Sequence, residues 1–177
     1  CDRLAAYHGV QPEQLFVANG SNEVLQTILL AYAGPGRRVV VFEPGYQMHV
    51  QIARILGSEV IVIERNEDFT LDSADVREVM REIQPHVVFL SSPNNPTGQC
   101  DDESMIDIIG EATDAMLVVD EAYAEFSSWS AIDRALNSDR IVVSRTFSKT
   151  WSLAALRLGY LIGSSDVIDH LWTAVLP

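Results

Sequence analysis

The chain has little cysteine, no excess of basic charge and no long apolar run, and each shortage removes a class of protein. Two cysteines in 177 residues, Cys1 and Cys100, build neither a disulfide framework nor a thiolate metal set, which fits a reducing cytoplasm. Twelve Lys and Arg against 25 Asp and Glu give a formal charge of −13, so neither nucleic acid nor an anionic membrane finds the basic face it requires. Any phosphate must therefore be held by a few local donors. Apolar runs stop well short of the ~20 residues of a membrane-spanning helix. The four histidines, His8, His49, His86 and His170, lack ligand spacing, so no metal is expected. Neither a Walker loop nor a Gly-x-Gly-x-x-Gly fingerprint follows any apolar run, which argues against a nucleotide-binding Rossmann-like domain with an incidental lysine. The start, Cys1-Asp2-Arg3-Leu4, has neither an initiator methionine nor a signal-peptide pattern and reads as a truncation boundary.

What is present is a regular alternation of short apolar runs and amphipathic stretches. Leu15-Phe16-Val17, Arg38 to Phe42, Val60 to Ile63, His86 to Leu90, Met116 to Val119, Ile141 to Val143 and Leu158 to Ile162 read as strands. Helices are expected from Val24 to Tyr32 with Ser21 or Asn22 as cap, from Tyr46 to Ile55, and from Ser73 to Ile83. Two more are expected from a cap at Asp101 through Ile109, and from Asp166 to Val175. No repeat, linker or low-complexity tract interrupts the series, so residues 1–177 read as one domain. Its fold class is α/β: three α/β/α layers around a mostly parallel sheet of about seven strands.

In such sheets ligands bind beyond the carboxyl ends of the strands, so the polar residues after each strand are the candidates. Ser92-Pro93-Asn94-Asn95-Pro96-Thr97-Gly98 follows one strand, Asp120-Glu121-Ala122-Tyr123 another, and Ser144-Arg145-Thr146-Phe147-Ser148-Lys149 continues a third. The last is a hydroxyl-rich turn ending in lysine, with Arg157 eight residues on. Hydroxyls and a guanidinium suit a phosphate and the amine suits a nucleophile, although a solvated loop lysine would look the same. Asp120 ends a buried strand and needs a partner to stay ionised. A helix cap or structural ion pair would serve, and so would a protonated ring nitrogen, with Tyr123 donating from the same side. Gly20-Ser21-Asn22 opens a helix whose free amides suit phosphate. Asn94 and Asn95 are turn formers, and Tyr46 is either core or a ring to lie on a flat heteroaromatic ligand.

Together these stretches resemble the fold type I pyridoxal-5′-phosphate aminotransferases, and within them the histidinol-phosphate aminotransferase group. The resemblance runs from Leu4-Ala5-Ala6-Tyr7-His8-Gly9-Val10 to Leu176-Pro177. It rests on Ala18 to Glu23, Ser92 to Gly98, Val119-Asp120-Glu121-Ala122-Tyr123-Ala124-Glu125-Phe126, and Ser144 through Tyr160. Met48-His49 after Tyr46 looks most like the actinobacterial branch. The resemblance implies that Lys149 forms an imine with pyridoxal 5′-phosphate and moves the substrate's α-proton. It implies that Asp120 pairs with the pyridine nitrogen, that Asn95 and Tyr123 hydrogen-bond the 3′-oxygen, and that Tyr46 stacks on the ring. Gly20, the amides of Ser21 and Asn22, and Thr146, Ser148 and Arg157 would surround the phosphate.

The implied substrates are an amino donor and a 2-oxo acid, as in transamination between glutamate and imidazole-acetol phosphate in histidine biosynthesis. The implied assembly is a homodimer with cofactors near the subunit interface. Asn22, Gly45 and Ala155 stand where the family commonly has Asp, Thr or Ser, and Gly; Gly45 is expected to loosen Tyr46. Family members are longer, so the resemblance implies a cofactor-binding large domain without the N-terminal arm and the small C-terminal domain. An aromatic amino-acid aminotransferase or a threonine-phosphate decarboxylase would share the fold. A cofactor-binding domain without turnover is the rival of another class.

Overall fold

Alternate residues of each central strand enter two different cores, which is why the strands are apolar along their whole length. The computed structural model describes residues 1–175. Its strands are β1 (Leu15–Ala18), β2 (Arg38–Glu43), β3 (Glu59–Glu64), β4 (Val87–Ser91), β5 (Met116–Asp120), β6 (Ile141–Thr146) and β7 (Gly159–Ile162). The helices are α1 (Asp2–His8), α2 (Ser21–Tyr32), α3 (Gln47–Ile55), α4 (Ser73–Ile83), α5 (Ser104–Ala112), α6 (Ile132–Leu136) and α7 (Ser165–Trp172). Val39, Val41, Phe89, Val118, Val142 and Leu161 pack against α2, α3 and α7. Their neighbours Val40, Val88, Leu90, Leu117, Val119 and Val143 pack on the opposite face against α4, α5 and α6. The result is the expected three-layer α/β/α arrangement.

Among the described residues the sheet has seven strands in the order β1-β7-β6-β5-β4-β2-β3. Pairing is parallel from β3 through β2, β4 and β5 to β6, and β7 runs antiparallel to both β6 and β1. From β2 the chain steps outward to β3, whereas from β4 it steps the other way to β5 and β6. Loops leaving the adjacent ends of β2 and β4 therefore diverge, and a crevice opens above them.

Two expected caps differ. α2 is capped at Gly20, with Ser21 and Asn22 already inside the helix, and Glu23 reaches back to accept from Asn19 N–H at 2.5 Å. Asp101 does not cap α5: it is buried in a bidentate pair with Arg65 at 2.8 Å for each bond, while Asp102 accepts from Ser104 N–H at 2.9 Å. A tertiary ion partner outcompetes the local cap there. α7 starts at Ser165, capped by Ser164, and ends at Trp172 rather than Val175; Leu176 and Pro177 lie outside the described residues. Helices α1 and α6 have no counterpart in the sequence pattern, because each buries only one residue, Ala5 and Ala135.

Candidate active site

Strand register sets out the site in two rows. Ser91, Asp120 and Ser144 are directly paired across β4, β5 and β6, and Ala18, Gly159 and Thr146 across β1, β7 and β6. Segments leaving these rows converge on one cleft, lined by Ser21, Tyr46, Ser91, Pro93, Asn95, Asp120, Ala122, Tyr123 and Lys149. Six of the predicted site residues thus meet there although they span 128 positions of the chain (149 − 21).

Asp120 forms the floor and is 5% exposed. His49 Nε2 lies 2.9 Å from its Oδ2, and Oδ1 accepts from Ser144 Oγ at 3.1 Å and from the Ala122 N–H at 3.2 Å. An ionised carboxylate offers about four lone-pair sites, so three donors leave capacity for one more from the cleft. His49 itself is 3% exposed, stacked on Phe89 at 4.3 Å between centroids with 6° between planes, and edge-on to Tyr46. Sequence reading weighed His49 as a metal ligand and as part of the Met48-His49 pair, and missed its bond to Asp120. The available signal was its position in the first turn of α3, directly after Tyr46 at the helix start.

At the other end, the α2 N-terminus is pressed against β7. A Cβ at Gly159 would overlap Ser21 N and Gly20 C, so only glycine permits this approach. Gly20, at φ +89°, carries the Arg157 guanidinium where a Cβ would be. Thr146 Oγ1 accepts from Ser148 N–H at 3.1 Å and shapes the turn that leads to Lys149. Gly20, Ser21, Thr146, Ser148 and Arg157 thus occupy one corner. The Asn22 side chain serves Tyr46, whose Oη–H donates to Asn22 Oδ1 at 3.1 Å. Gly45 does not leave Tyr46 loose, because that bond anchors the ring while Glu43 Oε2 accepts from Gly45 N–H at 2.7 Å.

The two asparagines divide the labour. Asn94 is buried and donates to Pro44 O and Thr97 Oγ1, both at 2.9 Å, which latches the turn to the end of β2. Asn95 lines the cleft. In the same lining, Lys149 Nζ stands 5.8 Å from the centroid of the Tyr123 ring.

Beneath the lysine turn, buried Glu121 accepts from Arg145 Nη2 at 2.6 Å, Ser130 Oγ at 2.9 Å and Ala131 N–H at 2.6 Å. Tyr160 Oη and His8 Nε2 lie 2.9 Å apart on the same flank. Burial, helped by the Arg145 charge, pushes the His8 imidazole down to about 4, against a small opposing pull from Glu125. Burial raises the Tyr160 phenol to about 12. A larger open groove lies between α1 and the Phe147–Leu158 segment. Its lining is mainly apolar, including Leu4, Tyr7, Val17, Phe147 and Trp151, and it lacks the acid–amine pair. Among the described residues no cluster of His, Cys, Asp and Glu is placed to hold a metal, and no helix is long and apolar enough to cross a membrane.

The chain is 43% identical over 179 residues to a histidinol-phosphate aminotransferase of Thermobifida fusca, covering 98% of this chain and 49% of that protein. It is 45% identical over 175 residues to the enzyme of the same name from Streptomyces avermitilis, covering 96% and 47%. It spans about half the length of these curated relatives. The crystal structure of the Sinorhizobium meliloti histidinol-phosphate aminotransferase in complex with pyridoxal-5′-phosphate superposes with a TM-score of 0.88. That match covers 97% of this chain and 48% of the other at 22% identity, a likeness of fold. The model for aminotransferase class I and II matches residues 1–175, and the chain belongs to that family.

Proposed function

We propose that this chain is the cofactor-binding large domain of a pyridoxal-phosphate-dependent aminotransferase that uses histidinol phosphate and 2-oxoglutarate. One observation carries the reading: a buried acid, an amine and a helix N-terminus with an arginine beside it are gathered from distant segments around a single cleft. The donor chemistry fits the cofactor. Asp120, with acceptor capacity left toward the cleft, suits a protonated pyridine nitrogen, and the Gly20–Ser21 amides with Arg157 suit a phosphate. When bound, pyridoxal phosphate supplies the electron sink for negative charge developing at the substrate α-carbon.

The protein's part is to bind, orient and move protons. His49, Ser144 and the Ala122 amide hold Asp120 as an oriented anion, so the charge at the ring-nitrogen end needs no reorganisation during reaction. Tyr46, fixed by Asn22, lines the cleft and would stack on the cofactor ring, and Asn95 and Tyr123, in the same lining, would hydrogen-bond a ring oxygen. Thr146 and Ser148 complete the phosphate corner. Lys149 Nζ is the base that takes up and returns the α-proton. The substrate assignment draws on the Thermobifida fusca and Streptomyces avermitilis relatives, both named histidinol-phosphate aminotransferase. A cytoplasmic homodimer completes the proposal.

The test is direct. Incubation with pyridoxal phosphate, then borohydride, should label Lys149, and Lys149→Ala should abolish the label; a label elsewhere, or none, overturns the reading. In the full-length protein, histidinol phosphate should turn over in preference to phenylalanine and threonine phosphate. Because the chain spans about half of its relatives, labelling without turnover by this stretch alone is the second reading.

A further inference from the structure

Lys149 and Thr150 are exposed, and the turn that carries them makes its backbone bonds chiefly to itself: Ser152 N–H to Lys149 O at 2.8 Å and Leu153 N–H to Phe147 O at 3.0 Å. Such a turn is closed but free to tilt, and nothing in those two bonds aims the amine at the cleft. Two glutamates from the loop that bears Asp120 and Tyr123 supply the aim. Glu121 accepts from Arg145, four residues before the lysine, at 2.6 Å. Glu125 reaches across to the other side. Its Oε2 accepts from Thr150 Oγ1 at 2.6 Å and its Oε1 from Trp151 Nε1 at 2.9 Å, the two residues directly after Lys149. The lysine is thereby bracketed, and its Nζ stands over Tyr123, two residues before Glu125.

We infer that Glu125 is a positioning residue for Lys149: its two-pronged bond to Thr150 and Trp151 fixes the lysine turn to the Asp120–Tyr123 loop. The inference rests on the cofactor reading above and adds a residue that touches neither cofactor nor substrate. Trp151 is held on its other sides by Phe147 and Tyr7, at 5.6 and 6.0 Å between ring centroids, so its N–H direction is set and meets the carboxylate. Burial pushes the Glu125 carboxyl up, but the bond from Thr150, a backbone bond, the bond from Trp151 and the Arg145 charge together outweigh it and leave it below the ordinary value, ionised and able to accept on both oxygens at neutral pH. Glu125 is exposed, so its loss loosens the turn without emptying the core.

The test uses Glu125→Ala, Glu125→Gln and, as control, exposed Glu67→Gln in the full chain. Without cofactor, tryptic cleavage at Lys149–Thr150 should accelerate ~10-fold in Glu125→Ala, reporting the local opening of the turn. With pyridoxal phosphate and borohydride, labelling of Lys149 should slow by a similar ~10-fold, because the amine is no longer held in place. Glutamine can accept from Trp151 and donate to Thr150 Oγ1, so Glu125→Gln should restore both rates to within ~3-fold of wild type. Wild-type cleavage and labelling in Glu125→Ala overturn the inference, and so does a Glu125→Gln variant as impaired as Glu125→Ala. Absence of label in the wild-type protein defeats the cofactor reading instead, and the cleavage rates then decide the clamp alone.

Discussion

Asp120 and Lys149 leave neighbouring strands on the same edge of the sheet, yet they are held in opposite ways. Asp120 is buried and takes three hydrogen bonds, one from a histidine that is itself stacked in the core. Lys149 is exposed on a turn that surface bonds tie down. The contrast matches the roles proposed for the two groups. A charge that must stay ionised in a dry place needs donors that the fold builds in. A base that must approach and leave a proton needs freedom at its tip, with only its backbone restrained.

The widest break in that comparison comes from the acid. Asp120→Ala removes the anion and leaves His49 buried without its partner; kcat/KM for the transamination proposed for the full-length protein should fall by ~100- to 1000-fold, the range for losing one preorganised electrostatic partner. Turnover within a few-fold of wild type would show that the buried end is scaffolding only. Next, His49→Ala should destabilise the fold by ~2–4 kcal/mol in urea denaturation, from the cavity beside Phe89 and a buried carboxylate left one donor short. Glu125→Ala should cost under ~1 kcal/mol in the same assay, as exposed contacts do, and equal losses would erase the distinction between a built-in end and a tied-down end.

Gly159→Ala forces a Cβ against the Ser21 amide, and a loss of ~1–3 kcal/mol is expected from the displaced α2 N-terminus, with weaker pyridoxal-phosphate labelling as the functional readout. The smallest effect is in the pH dependence. His8, beside Tyr160 on the lysine flank, has its imidazole lowered from 6.5 to about 4 by burial and by Arg145. Between those values the unfolded chain binds a proton that the folded chain does not, so stability should decline as pH falls from 6.5 to about 4 and be independent of His8 above that window. His8→Gln, which keeps a polar neighbour for Tyr160, should flatten that part of the acid limb in urea titrations.

Much of this was legible before any coordinates. Runs such as Met116 to Val119 are apolar at every position, which only a strand covered on both faces tolerates, and the polar residues that follow them mark the ligand-bearing edge. The helices α4 and α2 announce themselves by apolar spacing. Caps were less legible: Asp101 has the composition of a cap and the position of one, and Arg65 claims it through space.

Local pattern, then, determined the elements, their order and the identity of the acid, the lysine and the arginine, because strand and helix periodicity and turn chemistry act over a few residues. Tertiary structure alone decided who holds whom. His49 reaches Asp120 across 71 positions, Glu125 reaches Trp151 across 26, and Gly159 admits Ser21 against its backbone. Such contacts depend on strand order and register, which bring distant segments to one edge and leave no trace in the spacing of residues along the chain.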